Sequence, residues 1–320
     1  MQSFQQEILK VGITIFRVFP RYFTKTKTFT MRQLLHSSCI CALALLVSCS
    51  NNDEPEYPIF MQPSAITATD ANGQNQSFEY DDYGRIVDWT LMPVNPDYAS
   101  TYTAHYSYPD DNTIHIVSEE LWNDSKRCYE ETIQLVNGRA SKSEGTFISY
   151  IDGNVELRKT YRLEFEYTPS NNLNVVKHSE VVGIGDDIKD GAWEKPWAWE
   201  NYLIWEDGNL KEFEDYQGNS SVSQTTKYDY SIYEVDYPVV IPMVINSAHH
   251  LPLFMKGIFG LNSVNLVKSS SVIDRKGNIS LTSQYSYVFE QARIVEYTET
   301  NSYNTAFSNP VTYKVTWAER

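Results

Sequence analysis

In Lys159-Thr-Tyr-Arg-Leu-Glu-Phe-Glu-Tyr167 apolar and charged residues alternate at every step from Tyr161 on. In an extended chain this puts Tyr161, Leu163, Phe165 and Tyr167 on one face and Arg162, Glu164 and Glu166 on the other. A helix would scatter both sets, so a period of two predicts a strand with one face buried and one in water. That is the pattern of an antiparallel sheet. The pattern recurs. Tyr102-Thr-Ala-His-Tyr-Ser-Tyr108 breaks at Pro109-Asp110-Asp111-Asn112 and returns as Thr113-Ile-His-Ile-Val117, while Thr132-Ile-Gln-Leu-Val136 ends at Asn137-Gly138. Asn-Gly and Asp-Gly pairs favour the positive φ angles of tight hairpin turns. Similar turns are expected at Asp152-Gly153, Asp207-Gly208, Gln217-Gly218-Asn219 and Lys276-Gly277-Asn278. With 23 Tyr and 14% aromatic residues, the chain is too rich in rings to be disordered and is biased towards strands.

One stretch departs from this rhythm. Val239–Ile245 is apolar, the next five residues to His250 are polar, and Leu251-Pro252-Leu-Phe-Met-Lys-Gly-Ile-Phe259-Gly260 follows. Pro252 suits a first helical turn and Gly260 a terminus, which predicts a short helix, Leu253–Gly260, in a long crossing connection packed on the sheet. The fold expected is all-β, an antiparallel meander curling into an open or closed barrel with that one helix.

The N-terminal segment has a different character. Met31-Arg32-Gln33 precedes an apolar run from Leu34 to Val47, then Ser48-Cys49. The run has signal-peptide length and is shorter than the roughly 20 residues of a membrane-spanning helix. Leu46-Val47-Ser48-Cys49 resembles the lipobox of bacterial lipoproteins. That resemblance implies cleavage before Cys49, a diacylglyceryl group on its sulfur, and attachment to the membrane through this lipid. The polar stretch Ser50-Asn-Asn-Asp-Glu-Pro-Glu-Tyr-Pro58 then reads as a tether. Ser50, directly after the cysteine, is similar to outer-membrane sorting, and the acids behind it are similar to a surface-export signal. The expected organisation is residues 1–30 as an upstream extension, 31–48 as signal peptide, 49–63 as lipidated tether and 64–320 as a single β-rich domain.

From Cys49 onward there are 20 basic and 40 acidic residues, a net charge of −20 compared with −15 for the whole chain. A body this acidic repels phosphate backbones, which argues against a nucleic-acid partner. Cys128 is the single thiol left in it, so no intradomain disulfide can form. It is expected to be a half-buried strand residue.

Tyr80-Asp81-Asp82-Tyr83-Gly84-Arg85-Ile86 has the form of a YD-type repeat, in which Asp opens a turn and Gly accepts a positive φ. Looser echoes lie at Trp205–Leu210, Ile273–Ile279 and Phe289–Ile294. With the lipobox, the acidic tether, the Trp205–Tyr216 and Ile273–Tyr297 hairpins and the helix, this phrasing resembles a family of unknown function. Its members are envelope lipoproteins of Gram-negative gut bacteria, described as having a porin-like fold. The resemblance covers most of residues 60–300 and implies a broad antiparallel meander, with no activity attached. Glu, Lys, Asp and Asn at the outward strand positions predict a sheet that faces water and not lipid.

Catalytic motifs are lacking: the chain has no Gly-x-Ser-x-Gly, His-Glu-x-x-His or phosphate-binding Gly-rich loop. We therefore expect no enzyme and no cofactor. Four of the seven Trp fall between Trp193 and Trp205, beside carboxylates and amides. Such rings form sugar-binding platforms, and Trp193 and Trp197 are the candidate ligand-binding residues. The expected function is a non-catalytic module binding a glycan or peptide at the outer membrane. The alternatives are docking on another envelope protein through the sheet, or polysaccharide hydrolysis. His249-His250 is given no metal, because neighbouring side chains seldom point at one ion. In Gly185–Gly191, Ile188 and Lys189 spoil a calcium loop.

Overall fold

The computed structural model describes residues 62–95, 100–123, 125–184, 197–216, 222–234, 239–240, 248–260, 262–303 and 306–318. The strands are β1 (Gln62–Ala68), β2 (Gln74–Tyr80), β3 (Ile86–Pro93), β4 (Thr101–Asp110), β5 (Thr113–Trp122) and β6 (Ser125–Val136). Next come β7 (Arg139–Ile151), β8 (Asn154–Tyr167), β9 (Leu173–Ile184), β10 (Trp197–Glu206), β11 (Asn209–Tyr216) and β12 (Val222–Glu234). After a helical connection the chain continues as β13 (Asn265–Asp274), β14 (Ile279–Glu290), β15 (Arg293–Tyr303), β16 (Ala306–Phe307) and β17 (Val311–Ala318).

Each strand through β15 pairs antiparallel with the next, β15 also pairs with β17, and β17 returns to β1 along Gln62↔Ala318 to Ala68↔Tyr313. The sheet is therefore an up-and-down meander, as predicted, and of the open and closed forms expected it takes the closed barrel. Such a ring needs an even number of strands, because an odd number would force one parallel pair. β16 and β17 reconcile the count. Both run antiparallel to β15, in nearly continuous register, and Pro310 sits in the break between them. Proline supplies no N–H to a ladder, so one strand appears as two, and sixteen strands close the ring.

The expected turns form as predicted where they are described. Asn137 and Gly138 have φ of 53° and 76°, and Asp152-Gly153 and Asp207-Gly208 repeat this within a few degrees. These are the double positive values that match a twisted hairpin. Gln217-Gly218-Asn219 lies outside the described residues. The Asp81 carboxylate accepts from the backbone N–H of Tyr83 and Arg85, and Asp274 does the same for Lys276 and Asn278. One turn chemistry thus serves both sites.

The YD phrasing has a second basis. At the rim where odd-numbered strands begin, an aromatic near the end of an even strand donates to a carbonyl among the first three residues of the preceding odd strand. Tyr80 bonds Pro63 O, Tyr108 bonds Ile86 O, Tyr167 bonds Ala140 O and Trp205 Nε1 bonds Leu173 O. Tyr230 and Tyr287 do likewise with Leu210 O and Val267 O, and Trp317 Nε1 with Ile294 O across β17 and β15. Each ring packs on the core while its polar end satisfies a carbonyl at the rim.

Inward positions on every part of the ring contribute to one apolar cluster, from Ile66, Phe78 and Trp89 through Ile114, Ile116, Ile133 and Leu163 to Leu266, Tyr297 and Val315. The outward face differs. Arg162 bonds Glu144 at 3.1 Å, Lys177 bonds Glu166 at 2.5 Å and Lys227 bonds Glu212 at 3.3 Å along mid-strand positions. Lipid-facing barrel walls carry an apolar belt at that level, whereas this stretch of wall carries the charged outward positions that the sequence pattern predicted. Cys128 is half-buried on β6, with its thiol pushed up by burial.

The β12–β13 connection turns into the barrel. Ala248–His250 form a turn of 3₁₀ helix and Leu251–Met255 the helix α1. The helix is shorter than the expected Leu253–Gly260. Gly257 takes φ of +72°, its N–H bonds Phe254 O, and Ile258 N bonds Leu253 O. This pair of bonds is a Schellman cap, which ends the helix at Met255, five residues before Gly260.

Candidate functional site

The inward rows of the wall set up what the connection meets. Strand register aligns Ile116, Glu131, Gly145, Tyr161 and Glu180 across β5 to β9. Glu131 is thus a carboxylate on the apolar face of β6, flanked on that face by Tyr129 and Ile133, and it is 1% exposed. Gly145 leaves a gap in the row. A Cβ there would lie 2.5 Å from the Tyr161 ring, so the missing side chain lets the phenol reach across β7 and donate to Glu131 Oε2 at 2.7 Å.

Four donors surround this carboxylate. His249 Nε2 donates to Oε2 and His250 Nε2 to Oε1, both at 2.9 Å, and Ser143 Oγ and Tyr161 Oη supply the others. Two imidazoles that are adjacent in sequence approach one carboxylate from its two sides. Burial pushes the Glu131 carboxyl up, but the attraction of His250 and the bonds from both histidines outweigh that and hold it well below the usual carboxylate range. Burial and neighbouring His250 push His249 down. His249 is then a neutral imidazole with Nε2–H towards Glu131 and Nδ1 accepting from Ser118 Oγ at 3.1 Å. Tyr106 Oη donates to His249 O at 2.6 Å, and Ala140 N to Ile258 O at 2.8 Å. Leu253, Met255 and Phe259 are buried against the wall, with Phe259 against Phe165 at 5.2 Å. The segment is a plug, held by apolar contacts along its length and by one saturated carboxylate at its polar end.

Beyond the plug, towards the rim where even strands begin, the inward rows turn polar. They hold Glu120 paired to Arg127 at 3.1 Å, Lys159 to Glu180 at 3.3 Å, and Tyr129 against Phe147. Val182, on the same inward row as Lys159, is 45% exposed, so the inward face is open to solvent near this rim. His178 stacks on Trp199 with ring centroids 3.8 Å apart, and its buried Nε2 lies 3.7 Å from Glu180, too far for a hydrogen bond. Burial, with Lys159 nearby, pushes its pKa down to about 4. A depressed histidine pKa means the unfolded chain takes up a proton first. The stability that neutral His178 contributes is therefore present above pH 6.5 and lost as the pH falls to about 4, by about 3 kcal/mol at most. An NMR titration of the His178 ring should show a midpoint near that lower value; a midpoint at 6.5 would remove the effect.

The outer wall carries a cleft of about 620 Å³ over β8 to β11, lined by Glu164, Lys177, Trp199, Glu200, Tyr202 and Tyr216 among others. Register places Glu164, Lys177 and Glu200 in one outward row. Tyr202 and Tyr216 meet edge to face at 5.4 Å, and their hydroxyls donate to Glu200 and Glu214 respectively. The arrangement offers ring faces with carboxylates at their edges.

Trp193 and the Gly185–Gly191 turn lie outside the described residues, as does Cys49. Trp197 opens β10, opposite Glu180 in register, and its side chain also lies outside them. Sequence reasoning singled out neither Glu131 nor Tyr202 and Tyr216. For Glu131 a signal existed, since it shares strand parity with Tyr129, Ile133 and Leu135. A lone acid on an apolar face needs a buried partner.

The fold and its interior define a plugged, closed antiparallel barrel of sixteen strands. The chain matches no protein-family model and no curated protein. It is similar to a porin-like protein from Bacteroides vulgatus ATCC 8482, with a TM-score of 0.52 at 16% identity over 80% of this chain and 98% of that one. A porin-like protein from Bacteroides uniformis ATCC 8492 gives a TM-score of 0.47 at 12% identity over 82% and 100%. The first likeness extends the barrel reading to a solved structure of this architecture.

Proposed function

We propose that this chain is a lipid-anchored envelope protein of the bacterial outer membrane that captures a glycan without turning it over, and that it does not conduct solutes. The observation that carries this reading is the outer cleft, where Tyr202 and Tyr216 stand beside Glu164, Glu200 and Glu214 with Lys177 as the cation in the lining. Sugar C–H faces stack on such rings while hydroxyls bond the carboxylates. The excess of negative charge favours neutral or amino sugars over uronic acids. The β9–β10 connection, which contains Trp193, joins two strands of the cleft floor. Anchoring rests on the lipobox at Cys49 and on the tether that precedes β1. The plug and the ion-paired wall support a protein standing in water rather than a membrane channel.

Docking on a partner protein through a sheet edge is the competing reading. Closure of the ring weighs against it, because a closed barrel offers no free edge for strand addition. The test is binding of the body, Ser50 to Arg320, to an immobilised glycan panel, with a Tyr202→Ala, Tyr216→Ala variant alongside. Binding to neutral or amino glycans that falls by about tenfold or more in the variant is expected, since each lost stacking ring is worth about 1 kcal/mol. Equal binding by both proteins, or none by either, would reject the cleft. Release of shortened sugars would convert the capture reading into a hydrolase.

A further inference from the structure

We propose that Glu131, His249 and His250 form a binding site for a divalent transition-metal ion of the zinc class, closed inside the barrel when the plug docks. Their ligand atoms, two imidazole Nε2 and a carboxylate oxygen, all lie within 4.8 Å of one another, and each Nε2 sits 2.9 Å from an oxygen of the same carboxylate. Nitrogen and oxygen ligands at about 2.0–2.2 Å from one tetrahedral zinc ion are separated by about 3.4 Å. An ion could therefore take the place of the two Nε2 protons, each moving to the Nδ1 of its own ring, once the ligand atoms shift from separations between 2.9 Å and at most 4.8 Å to about 3.4 Å.

The surroundings fit such an ion. All three side chains are buried, at 0%, 1% and 1% exposure for His249, His250 and Glu131. Buried carboxylates are found paired with positive charge or on metal ions, and an ion bound by all three residues would place that charge at the carboxylate itself. Metal binding moves the His249 proton from Nε2 to Nδ1, where Ser118 Oγ at 3.1 Å changes from donor to acceptor. A hydroxyl of this kind fixes the orientation of a ligating imidazole. Tyr161 Oη and Ser143 Oγ stand on the same carboxylate and are the nearest candidates for a fourth ligand. Two imidazoles and a carboxylate, with no thiolate, favour zinc or a neighbouring divalent metal over copper(I) or calcium. The body's one thiol, Cys128, has the strand parity opposite to that of Glu131 and so faces the other side of the sheet. Because the ligands come from β6 and from the plug 118 residues later, the ion would join the two.

The test uses the untagged chain from Ser50 onward, which contains the whole barrel. The protein is unfolded with a chelator, refolded with or without zinc, desalted, and assayed for metal content and for Tm. About one zinc per chain, with Tm raised several degrees over the metal-free protein, is expected. His250→Gln keeps a side-chain donor for Glu131, so it should still fold, as judged by circular dichroism, but should retain about tenfold less zinc or lower. Wild-type protein that folds yet carries less than about a tenth of an equivalent would overturn the site and leave a hydrogen-bonded lock alone. Full zinc retention by His250→Gln would overturn the assignment of its ligands.

Discussion

Glu131→Ala should destabilise the barrel by about 3–5 kcal/mol, the cost of removing one partner from a buried charged network. Four donors meet this carboxylate, and after the substitution His249 Nε2, His250 Nε2, Ser143 Oγ and Tyr161 Oη face a cavity that offers none of them an acceptor. Each unsatisfied buried donor costs about 1–3 kcal/mol, and the costs are not additive because the groups share one space. Denaturant unfolding monitored by tryptophan fluorescence reads the loss directly. Nearby Glu130 provides the control. It lies on the opposite face of β6, exposed, and contacts His115 at 3.3 Å, so Glu130→Ala should change stability by less than about 0.5 kcal/mol. Equal effects at the two positions would mean that the carboxylate does not hold the plug.

Gly145→Val should be the next most damaging single change, at about 2–4 kcal/mol. On strand propensity alone it ought to help, since valine favours extended backbone and glycine does not. Packing reverses the sign. The new Cβ would fall 2.5 Å from Cζ and Oη of Tyr161, which must then leave the row and give up its 2.7 Å bond to Glu131. The loss joins overpacking to an unpaired buried hydroxyl. A double-mutant cycle separates these from a general intolerance of side chains at this position. In a Tyr161→Ala background, Gly145→Val should lose most of its cost, giving a coupling of about 2 kcal/mol. Strict additivity would show that the valine clashes with something other than the phenol.

These two positions show what local sequence can and cannot reveal. Gly145 reads as a weak point in a strand, and only the register that puts it between Glu131 and Tyr161 explains it. The same holds for the rim aromatics. Tyr80 sits in recognisable turn phrasing and Tyr287 two residues before its echo, yet the carbonyls they bond belong to residues 17 and 20 positions earlier, and the interval varies with hairpin length. Trp205 reaches 32 positions back. A fixed-period repeat search cannot register a device whose spacing changes from hairpin to hairpin.

Local and periodic features follow from the residues alone. Alternation made the strands, Asn-Gly and Asp-Gly set hairpin turns, and the period of two put charged residues on the outward face. Each depends on contacts between near neighbours or on a two-residue period, which any window of the chain displays. Tertiary structure decided closure at sixteen strands, the turn of residues 248–260 into the interior, and the meeting of His249 and His250 with Glu131. Closure depends on the sum of twist and stagger over the whole ring. The plug depends on an interior that exists only once the ring has closed. The convergence on one carboxylate joins residues more than a hundred positions apart, a separation across which alternation carries no information.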